Sequence, residues 1–351
     1  MQERTTVMRD WLHLGDQPML QTKTTLRNWI ITLRPHTAAL TVSGGLLAVY
    51  LSPHPSWNDY LAIGWWCLFY HIFGFLDNGI CDLPFDQRDP EKAHFPLVSG
   101  RISVKAATWF WWVGTLLTAA WGLAMTVGAA IEAQLFLLCA VIFGALYNRT
   151  AKTSLLGALW ISTAFASIPG YAFIVAGGDP YAPELQYIVA YAWILMLGQI
   201  AVSGFIKDAT SGNGEANLLV ALGLRTKPTS EGSFVYEFGA RARWFAWAVR
   251  FPLWAMALAW GFAGRAGVAA PLLLGIVAPL LWWSLLEDGE SSRRHKVAVM
   301  ALSEVLGYWF LVWSLSGGMP WVVFSAFAVG PLVWFVAINK FLWNTWIAPK
   351  V

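Results

Sequence analysis

The stretch NGICDLPFDQRDPEKAHFPLVSGRIS, residues 78–103, separates two apolar runs and decides how the rest of the chain is interpreted. The run LAIGWWCLFYHIFGFL at 61–76 and the run AATWFWWVGTLLTAAWGLAM at 106–125 contain no Asp, Glu, Lys or Arg. Apolar runs of about 20 residues match the roughly 30 Å hydrocarbon core of a bilayer. The stretch therefore predicts a charged loop between two membrane-spanning helices.

The composition extends this prediction to the whole chain. Hydrophobic residues make up 57% of the 351 residues and charged residues only 12%, whereas a soluble domain carries about 25% charged residues. This excludes an ordinary soluble protein. Because only SGGM separates the last two predicted spans, nine helices with a re-entrant end are an alternative to ten. The ten predicted spans lie at 36–52, 57–76, 106–127, 130–147, 154–177, 186–206, 243–263, 266–286, 297–316 and 320–342.

The distribution of Lys and Arg predicts the orientation. With the N-terminus inside, almost all basic residues fall in inner segments, the outer connections hold essentially only Arg265, and Arg250 falls within a span. Cytoplasmic loops are enriched in Lys and Arg. We therefore expect an integral protein of the cell's inner or plasma membrane. Both termini and both long polar loops, 77–105 and 207–242, are expected to be cytoplasmic.

The acids of the first loop have a spacing that suits a metal. Asn78, Asp82 and Asp86 follow one another at four-residue intervals, which places them along one face of a helix. Mg²⁺ takes one or two carboxylates together with phosphate oxygens. The alternative is a solvated loop that follows the orientation rule, although that rule does not call for acids. Pro84 interrupts a helix, so the alignment of Asp86 with the other two stays open.

Basic residues and a second acidic loop complete the pattern. Lys92 and Arg101 follow the first acids and can neutralise phosphate charge. Lys207 and Asp208 stand at the exit of the sixth predicted span, and Glu215 follows a flexible SGNG turn. Two acid-bearing loops on the same predicted face indicate one site between two similar halves.

In this order the motifs resemble the UbiA-type superfamily of intramembrane prenyltransferases, over about residues 30–315. The first loop resembles the family's Asn-Asp-x-x-Asp-x-x-x-Asp motif, with Gly79 in place of its first Asp. KDATSGNG at 207–214 resembles the second Asp-rich motif, with Gly212 in place of an Asp. Three further stretches resemble family segments: RPHT at 34–37, HFPLVSGRIS at 94–103 and YNRTAK at 147–152.

The resemblance implies a fold and a domain organisation. We expect an all-α polytopic membrane protein, a UbiA-like bundle of nine to ten transmembrane helices around a central cavity that opens to the cytoplasmic side. Residues 1–33 are expected to form a cytoplasmic or interfacial segment and residues 34–317 the catalytic domain. Residues 318–351 are expected to add a C-terminal helix and tail that the common nine-helix pattern lacks.

The resemblance also implies a function, namely Mg²⁺-dependent transfer of a prenyl group from an isoprenoid diphosphate to a lipophilic, aromatic acceptor through an allylic cation. We expect the catalytic residues to be Asp82, Asp86, Asp208 and Glu304. The expected metal ligands are Asn78, Asp82, Asp86, Asp208 and Glu215. The residues expected to bind the diphosphate are Arg34, Lys92, Arg101, Tyr147, Lys152 and Lys207.

Two other functions stay open. Gly79 and Gly212 remove two family carboxylates, and UbiA-type terpene cyclases, which need no acceptor, have altered Asp-rich motifs. A transporter would require charges near mid-bilayer, where the spans contain mainly Glu304 and Arg250. Glu304 either orients or deprotonates an acceptor, or serves a cyclase as an acid. The alternative is a structural role, in which Glu304 pairs with Arg250 or hydrogen-bonds within the bundle. For His71, on the helical face of Asn78, a hydrogen-bonded core histidine is favoured over a substrate contact.

Overall fold

The computed structural model describes residues 26–89, 92–210, 217–230, 232–264 and 269–344. Within these ranges almost every element is a helix. A 3₁₀ turn at Pro35–Ala38 lies between the first two helices. The first half of the chain contains α1 (Leu26–Leu33), α2 (Ala39–Leu51), α3 (Trp57–Cys81), α4 (Leu83–Asp86), α5 (Val104–Met125), α6 (Ile131–Thr150), α7 (Gly157–Val175) and α8 (Pro183–Gly198).

The second half continues α8 through a π-helical segment at Gln199–Gly204. A small antiparallel sheet interrupts the helices that follow. The elements are α9 (Phe205–Asp208), α10 (Leu218–Ala221), β1 (Leu224–Ser230), β2 (Ser233–Phe238), α11 (Ala240–Ala263), α12 (Ala269–Leu285), β3 (Gly289–Ser292), α13 (Arg293–Ser314) and α14 (Trp321–Trp343).

By length and composition, six helices in the described part of the chain can cross a membrane. Helices α3 and α5 are as long as these but less apolar. Each of the ten predicted spans overlaps a helix of the structure, and the number that cross the bilayer stays a prediction. The six are Ile131–Thr150, Gly157–Val175, Pro183–Asp208, Ala240–Ala263, Arg293–Ser314 and Trp321–Trp343.

Serine caps begin three of the long helices. Ser56 starts α3 with a capping box, since its hydroxyl accepts from the Asp59 N–H and the Asp59 carboxylate accepts from the Ser56 N–H. Ser103 accepts from the Ala106 N–H at the start of α5, and Ser292 caps α13 in the same way. These bonds satisfy amides that have no partner inside the helix.

The core of the bundle is built around α7, which packs between α6 and α8 and also contacts α2. Its small residues allow this close approach, because a Cβ at Gly170 would lie 2.7 Å from the Phe136 ring. On the other side of the molecule α13 packs against α11 and α12. The C-terminal helix α14 lies at the edge, against α2, α13 and the 3₁₀ turn.

The expectation of an all-α fold is wrong in one region. Strands β1, β2 and β3 form an antiparallel sheet in that order, so the predicted loop 207–242 is partly structured and a strand before α13 completes it. The last three residues of β2 alternate in burial, with Tyr236 and Phe238 buried and Glu237 exposed. This period of two is the pattern of a half-buried strand. Gly232, at φ +73°, forms the turn that precedes it.

Candidate functional site

A cavity of about 680 Å³ lies among the helices of the bundle. Ten of the twelve site residues predicted from the sequence line it, and this brings the two acidic loops to one place. Glu215, like Gly212, lies outside the described residues. The ten are Arg34, Asn78, Asp82, Asp86, Lys92, Tyr147, Lys152, Lys207, Asp208 and Glu304.

Arg101 is the predicted residue that does not line this cavity. Its Nε donates to the Ser99 hydroxyl at 2.9 Å, and its guanidinium also donates to the His94 carbonyl. These contacts are made within the loop that leads into α5. A role for Arg101 in binding diphosphate therefore stays a prediction.

The break between α3 and α4 places the first acids. Helix α3 ends at Cys81, Asp82 is its C-cap, and Pro84 lies in the first turn of α4. Proline is tolerated at that position because the amide it lacks would have no helical partner. The turn brings Asp86 to the cavity, where its carboxylate accepts from Lys92 Nζ at 2.6 Å. Pro84 thus breaks the helix, yet Asp86 remains at the site.

The environment of Asp82 suits a metal ligand. Its carboxylate lines the cavity and makes no hydrogen bond with the described residues. Burial, together with the neighbouring Asp86, raises the pKa of this carboxyl to about 6 against the opposing effect of Lys152 and Lys92. A buried carboxylate without donors is stabilised by a cation placed beside it.

Asp77 is a cavity-lining acid that the sequence analysis missed. It is only 5% exposed, and its Oδ2 accepts from Asn148 Nδ2 at 2.9 Å and from an Arg149 Nη at 3.1 Å. The Arg149 guanidinium also lies 5.6 Å from the Trp111 ring centroid. The signal that the sequence offers for Asp77 is its position, because it directly precedes Asn78, the first of the predicted metal ligands.

The lack of a side chain at Gly79 does not remove a group from the wall of the large cavity. A Cβ added at this position would contact Leu97 at 3.5 Å, and Gly79 does not line the cavity, whereas Asn78 does. An acid at position 79 would therefore leave the backbone towards Leu97. Asp77 places a carboxylate at the cavity from two residues earlier.

The described part of the second acidic loop contributes one acid, which lies between two lysines. The carboxylate of Asp208 lies 3.5 Å from Lys152 Nζ and 3.9 Å from Lys207 Nζ. Lys152 also acts on the carboxyl of Asp82. Lys152, from the start of the α6–α7 connection, thus lies between the acids of the two loops. We call the residues Arg34, Asn78, Asp82, Asp86, Lys92, Lys152, Lys207 and Asp208 the charged end of the cavity.

Arg34 reaches the charged end from an unusual backbone conformation. Its φ of 49° is left-handed, and its guanidinium lies 5.9 Å from the Phe75 ring centroid and 5.6 Å from that of Phe95. The next residue, Pro35, accepts a hydrogen bond on its carbonyl from Trp334 Nε1 at 2.8 Å. Helix α14 therefore holds the turn that positions Arg34.

Two further polar groups lie along the cavity wall. Glu304 Oε2 accepts from Gln199 Nε2 at 2.8 Å, and Glu304 Oε1 is buried without a partner among the described residues. Of the two structural alternatives for Glu304, the hydrogen bond within the bundle is present and the pair with Arg250 is not, because Arg250 donates to the Ser303 carbonyl at 2.6 Å and stacks on Trp282. Ser303 directly precedes Glu304 along α13, so Arg250 is bonded beside Glu304 and not to its carboxylate. The carboxylate is bonded to Gln199.

His71 contacts the cavity but both of its ring nitrogens are bonded. Nε2 lies 2.9 Å from the Thr37 hydroxyl and Nδ1 lies 2.7 Å from the Thr41 hydroxyl. Thr37 donates its proton to the Arg34 carbonyl, so Nε2 donates to Thr37 and Nδ1 accepts from Thr41. This is the hydrogen-bonded core histidine that the sequence analysis favoured.

The donor set fits Mg²⁺ bound together with a phosphate-bearing ligand. Among the described residues no three His, Cys, Asp or Glu side chains form a ready metal cluster. Asp82, which accepts no hydrogen bond from a described residue, and the amide oxygen of Asn78 line the charged end. Mg²⁺ is commonly held by one or two carboxylates with the remaining positions filled by water and phosphate oxygens.

The fold and the site together define a class of protein, namely a helical membrane protein with an internal cavity that is charged at one end. The chain matches the model of the UbiA prenyltransferase family over residues 38–303. This chain belongs to the UbiA prenyltransferase family. The expected resemblance is therefore confirmed.

Solved structures show the same fold at low sequence identity. A structure of digeranylgeranylglyceryl phosphate synthase is 17% identical, with a TM-score of 0.59 over 87% of this chain and 98% of that one. A UbiA homologue from Aeropyrum pernix K1 is 16% identical, with a TM-score of 0.57 and coverage of 81% and 97%. No curated protein matches the chain.

A third structure, a UbiA homologue from Archaeoglobus fulgidus bound to DMAPP and Mg²⁺, is also 16% identical, with a TM-score of 0.56 and coverage of 81% and 99%. A structure of the same organism's homologue was solved with GPP and Mg²⁺. These ligands belong to the archaeal protein. The similarity to this chain is one of fold.

Proposed function

We propose that this protein transfers a prenyl group from an isoprenoid diphosphate to a lipophilic acceptor, in a reaction that depends on Mg²⁺. The observation that carries the proposal is one cavity with two kinds of lining. Its charged end gathers acids and lysines from both loops, while apolar residues such as Leu137, Ile161 and Phe165 line the rest. A prenyl diphosphate has the same division between an anionic head and an apolar tail.

The charged end binds and orients the diphosphate. Lys152, Lys207 and Arg34 supply cationic donors for its oxygens, and such charge-assisted bonds are stronger than neutral ones. Asp82, with Asn78, would hold Mg²⁺, which when bound neutralises charge on the leaving diphosphate. Asp86 holds Lys92 in place through their 2.6 Å contact. The archaeal relatives that bind prenyl diphosphates with Mg²⁺ support this assignment.

The apolar part of the cavity protects the cation. Loss of diphosphate leaves an allylic carbocation, which water would quench, so the reaction requires a site from which water is excluded. Trp66 and Tyr70 line the cavity and stack on each other, with 5.5 Å between ring centroids. Aromatic faces attract cations. These rings are therefore suited to stabilise the positive charge until an acceptor reacts.

A terpene cyclase that needs no acceptor is the second candidate. The departures from the family's Asp-rich motifs at Gly79 and Gly212 motivate it. Asp82 and Asp86 remain at the cavity on the first side of the site, and this favours the transferase.

One experiment tests both candidates. The purified full chain, in lipid nanodiscs, is incubated with labelled geranyl, farnesyl or geranylgeranyl diphosphate and Mg²⁺, with and without a panel of phenols and quinols. We expect Mg²⁺-dependent prenylated acceptor. Cyclic hydrocarbon or terpene alcohol formed without acceptor would establish the cyclase instead. Products that form equally with excess chelator would contradict the proposal.

A further inference from the structure

Glu304 is the most informative polar group that the binding of diphosphate does not use. It lies 11 residues after Arg293 along α13, just beyond the stretch that the family model matches. One carboxylate oxygen is bonded to Gln199, and the other is buried at the cavity wall with no donor among the described residues. A buried acceptor without a donor is unfavourable. This oxygen is therefore suited to accept from a ligand in the cavity.

Two cations act electrostatically on the Glu304 carboxylate, Lys207 of the charged end and Arg250 of α11, which does not line the cavity. The Arg250 guanidinium faces the Ser303 carbonyl and the Trp282 ring. Among the described residues neither cation donates a hydrogen bond to Glu304 Oε1. This oxygen can therefore accept from a ligand group in the cavity.

We propose that Glu304 binds the hydroxyl group of a neutral acceptor and takes its proton during prenyl transfer. This inference rests on the function proposed above. The C1–O bond of the prenyl diphosphate breaks, and its electron pair leaves with diphosphate. The hydroxyl proton passes to Glu304 Oε1, and the oxyanion that remains supplies the electron pair of the new bond to C1. Glu304 returns the proton to water when the product leaves.

The surroundings also restrict the class of acceptor. Leu195, Met300 and Phe165 line the cavity, and its volume lies within the range of small-molecule sites, about 300–1,000 Å³. An acceptor that carries a carboxylate would be repelled by the Glu304 carboxylate. The acceptor class is therefore a lipophilic, uncharged molecule with a hydroxyl group.

A binding experiment tests the recognition of this hydroxyl. The full chain in nanodiscs is loaded with Mg²⁺ and inorganic diphosphate, and calorimetry measures its affinity for 2-naphthol, 2-methoxynaphthalene and 2-naphthoate. We expect 2-naphthol to bind at least about tenfold more tightly than the other two, as expected for a lost hydrogen bond or a charge repulsion. Glu304→Met should remove this preference. Equal binding of the three probes, preference for 2-naphthoate, or no binding of 2-naphthol would overturn the proposal.

A second variant separates binding from proton transfer. Glu304→Gln keeps a hydrogen-bond acceptor of the same shape but is not a base, so we expect it to bind 2-naphthol within about threefold of wild type. Its transfer of a geranyl group to 2-naphthol should fall by about 100-fold, the usual scale of general base catalysis. Unchanged transfer by Glu304→Gln, or no transfer by the wild type, would overturn the proton-transfer role. Glu184→Gln, in the first turn of α8 and outside the cavity lining, is the matched control.

The failure of this inference can be distinguished from failure of the proposed function. The binding of Mg²⁺ and inorganic diphosphate is measured first, in wild type and in Asp82→Asn. If that binding is present in wild type and lost in Asp82→Asn while the probes fail to discriminate, the acceptor inference alone is wrong. If Mg²⁺ does not promote diphosphate binding in the wild type, the proposed function itself is wrong.

Discussion

The two sides of the charged end differ in their balance of charge. Among the described residues, the side formed after α3 has three acids at the cavity, Asp77, Asp82 and Asp86, and two of them are paired with Arg149 and Lys92. In the described part of the other side, formed after α8 and α6, one acid, Asp208, lies between Lys152 and Lys207. Acid excess suits a metal, and lysine excess suits phosphate oxygens. The comparison indicates that the two loops divide the binding of metal and diphosphate between them.

The largest effect should come from Asp82, the acid of the first side whose carboxylate accepts no hydrogen bond from a described residue. Asp82→Asn removes a metal-binding charge at nearly constant volume, so we expect Mg²⁺-dependent turnover to fall by at least about 100-fold, since even outer-shell partners of a metal contribute 10- to 100-fold. Turnover is measured with radiolabelled prenyl diphosphate as a function of Mg²⁺ concentration. Glu237→Gln, on the exposed face of β2, is the control. Full Mg²⁺-dependent activity in Asp82→Asn would break the division between the two sides.

The lysine side should affect substrate binding more than the chemical step. Lys152→Ala removes a cation placed 3.5 Å from Asp208, and we expect KM for the prenyl diphosphate to rise about tenfold, as for the loss of a charge-assisted bond. Lys227→Ala, at a largely exposed lysine of β1, should leave KM unchanged. A KM equal to that of wild type in Lys152→Ala would show that the second side does not bind diphosphate.

Asp77 tests the comparison further, because it is an acid of the first side that already pairs with Arg149. Asp77→Asn weakens its bonds to Asn148 and Arg149, and Arg149 is about half exposed, so the effect on stability should be modest. We expect the thermal midpoint in nanodiscs to fall by about 2–4 °C and turnover to fall by less than about tenfold. A loss of Mg²⁺ dependence as large as in Asp82→Asn would instead make Asp77 a metal ligand.

The smallest effect should come from the hydrogen bond between Trp334 of α14 and the Pro35 carbonyl, which supports the turn that positions Arg34. Trp334→Phe removes the hydrogen bond to the Pro35 carbonyl, a change of about 1 kcal/mol, and we expect KM for the prenyl diphosphate to rise by about two- to fivefold. Trp321→Phe, at an exposed position of the same helix, is the control. If both variants have the KM of wild type, α14 does not position Arg34.

The helices and most of the site were predictable because their signals are local. Apolar runs give the helices, and the spacing of Asn78, Asp82 and Asp86 indicated a shared site that the cavity supports. The sheet was missed although SFVYEF, between Gly232 and Gly239, is rich in aromatic and β-branched residues. Such a short strand signal is easily overlooked in a chain dominated by long apolar runs.

Other features depend on contacts between distant parts of the chain. The pairing of Asp77 with Asn148 and Arg149 spans about 70 residues, and Gln199 meets Glu304 across 105 residues. No spacing in the sequence indicates such partners. The left-handed conformation of Arg34 is similarly hidden, because a contact with Trp334, 299 residues away from Pro35, supports it.

The π-helical segment at Gln199–Gly204 sets the rotational phase of one cavity wall. In a regular α-helix Gln199 and Asp208, nine residues apart, would differ by about 900°, or two and a half turns, and would point in opposite directions. Both line the cavity, because the wider turns accommodate about one additional residue. Deleting one residue from this segment would therefore leave a regular helix with both side chains at the cavity. A regular helix of the present length would instead turn either Gln199, the partner of Glu304, or Asp208, the acid beside Lys152, towards the outside.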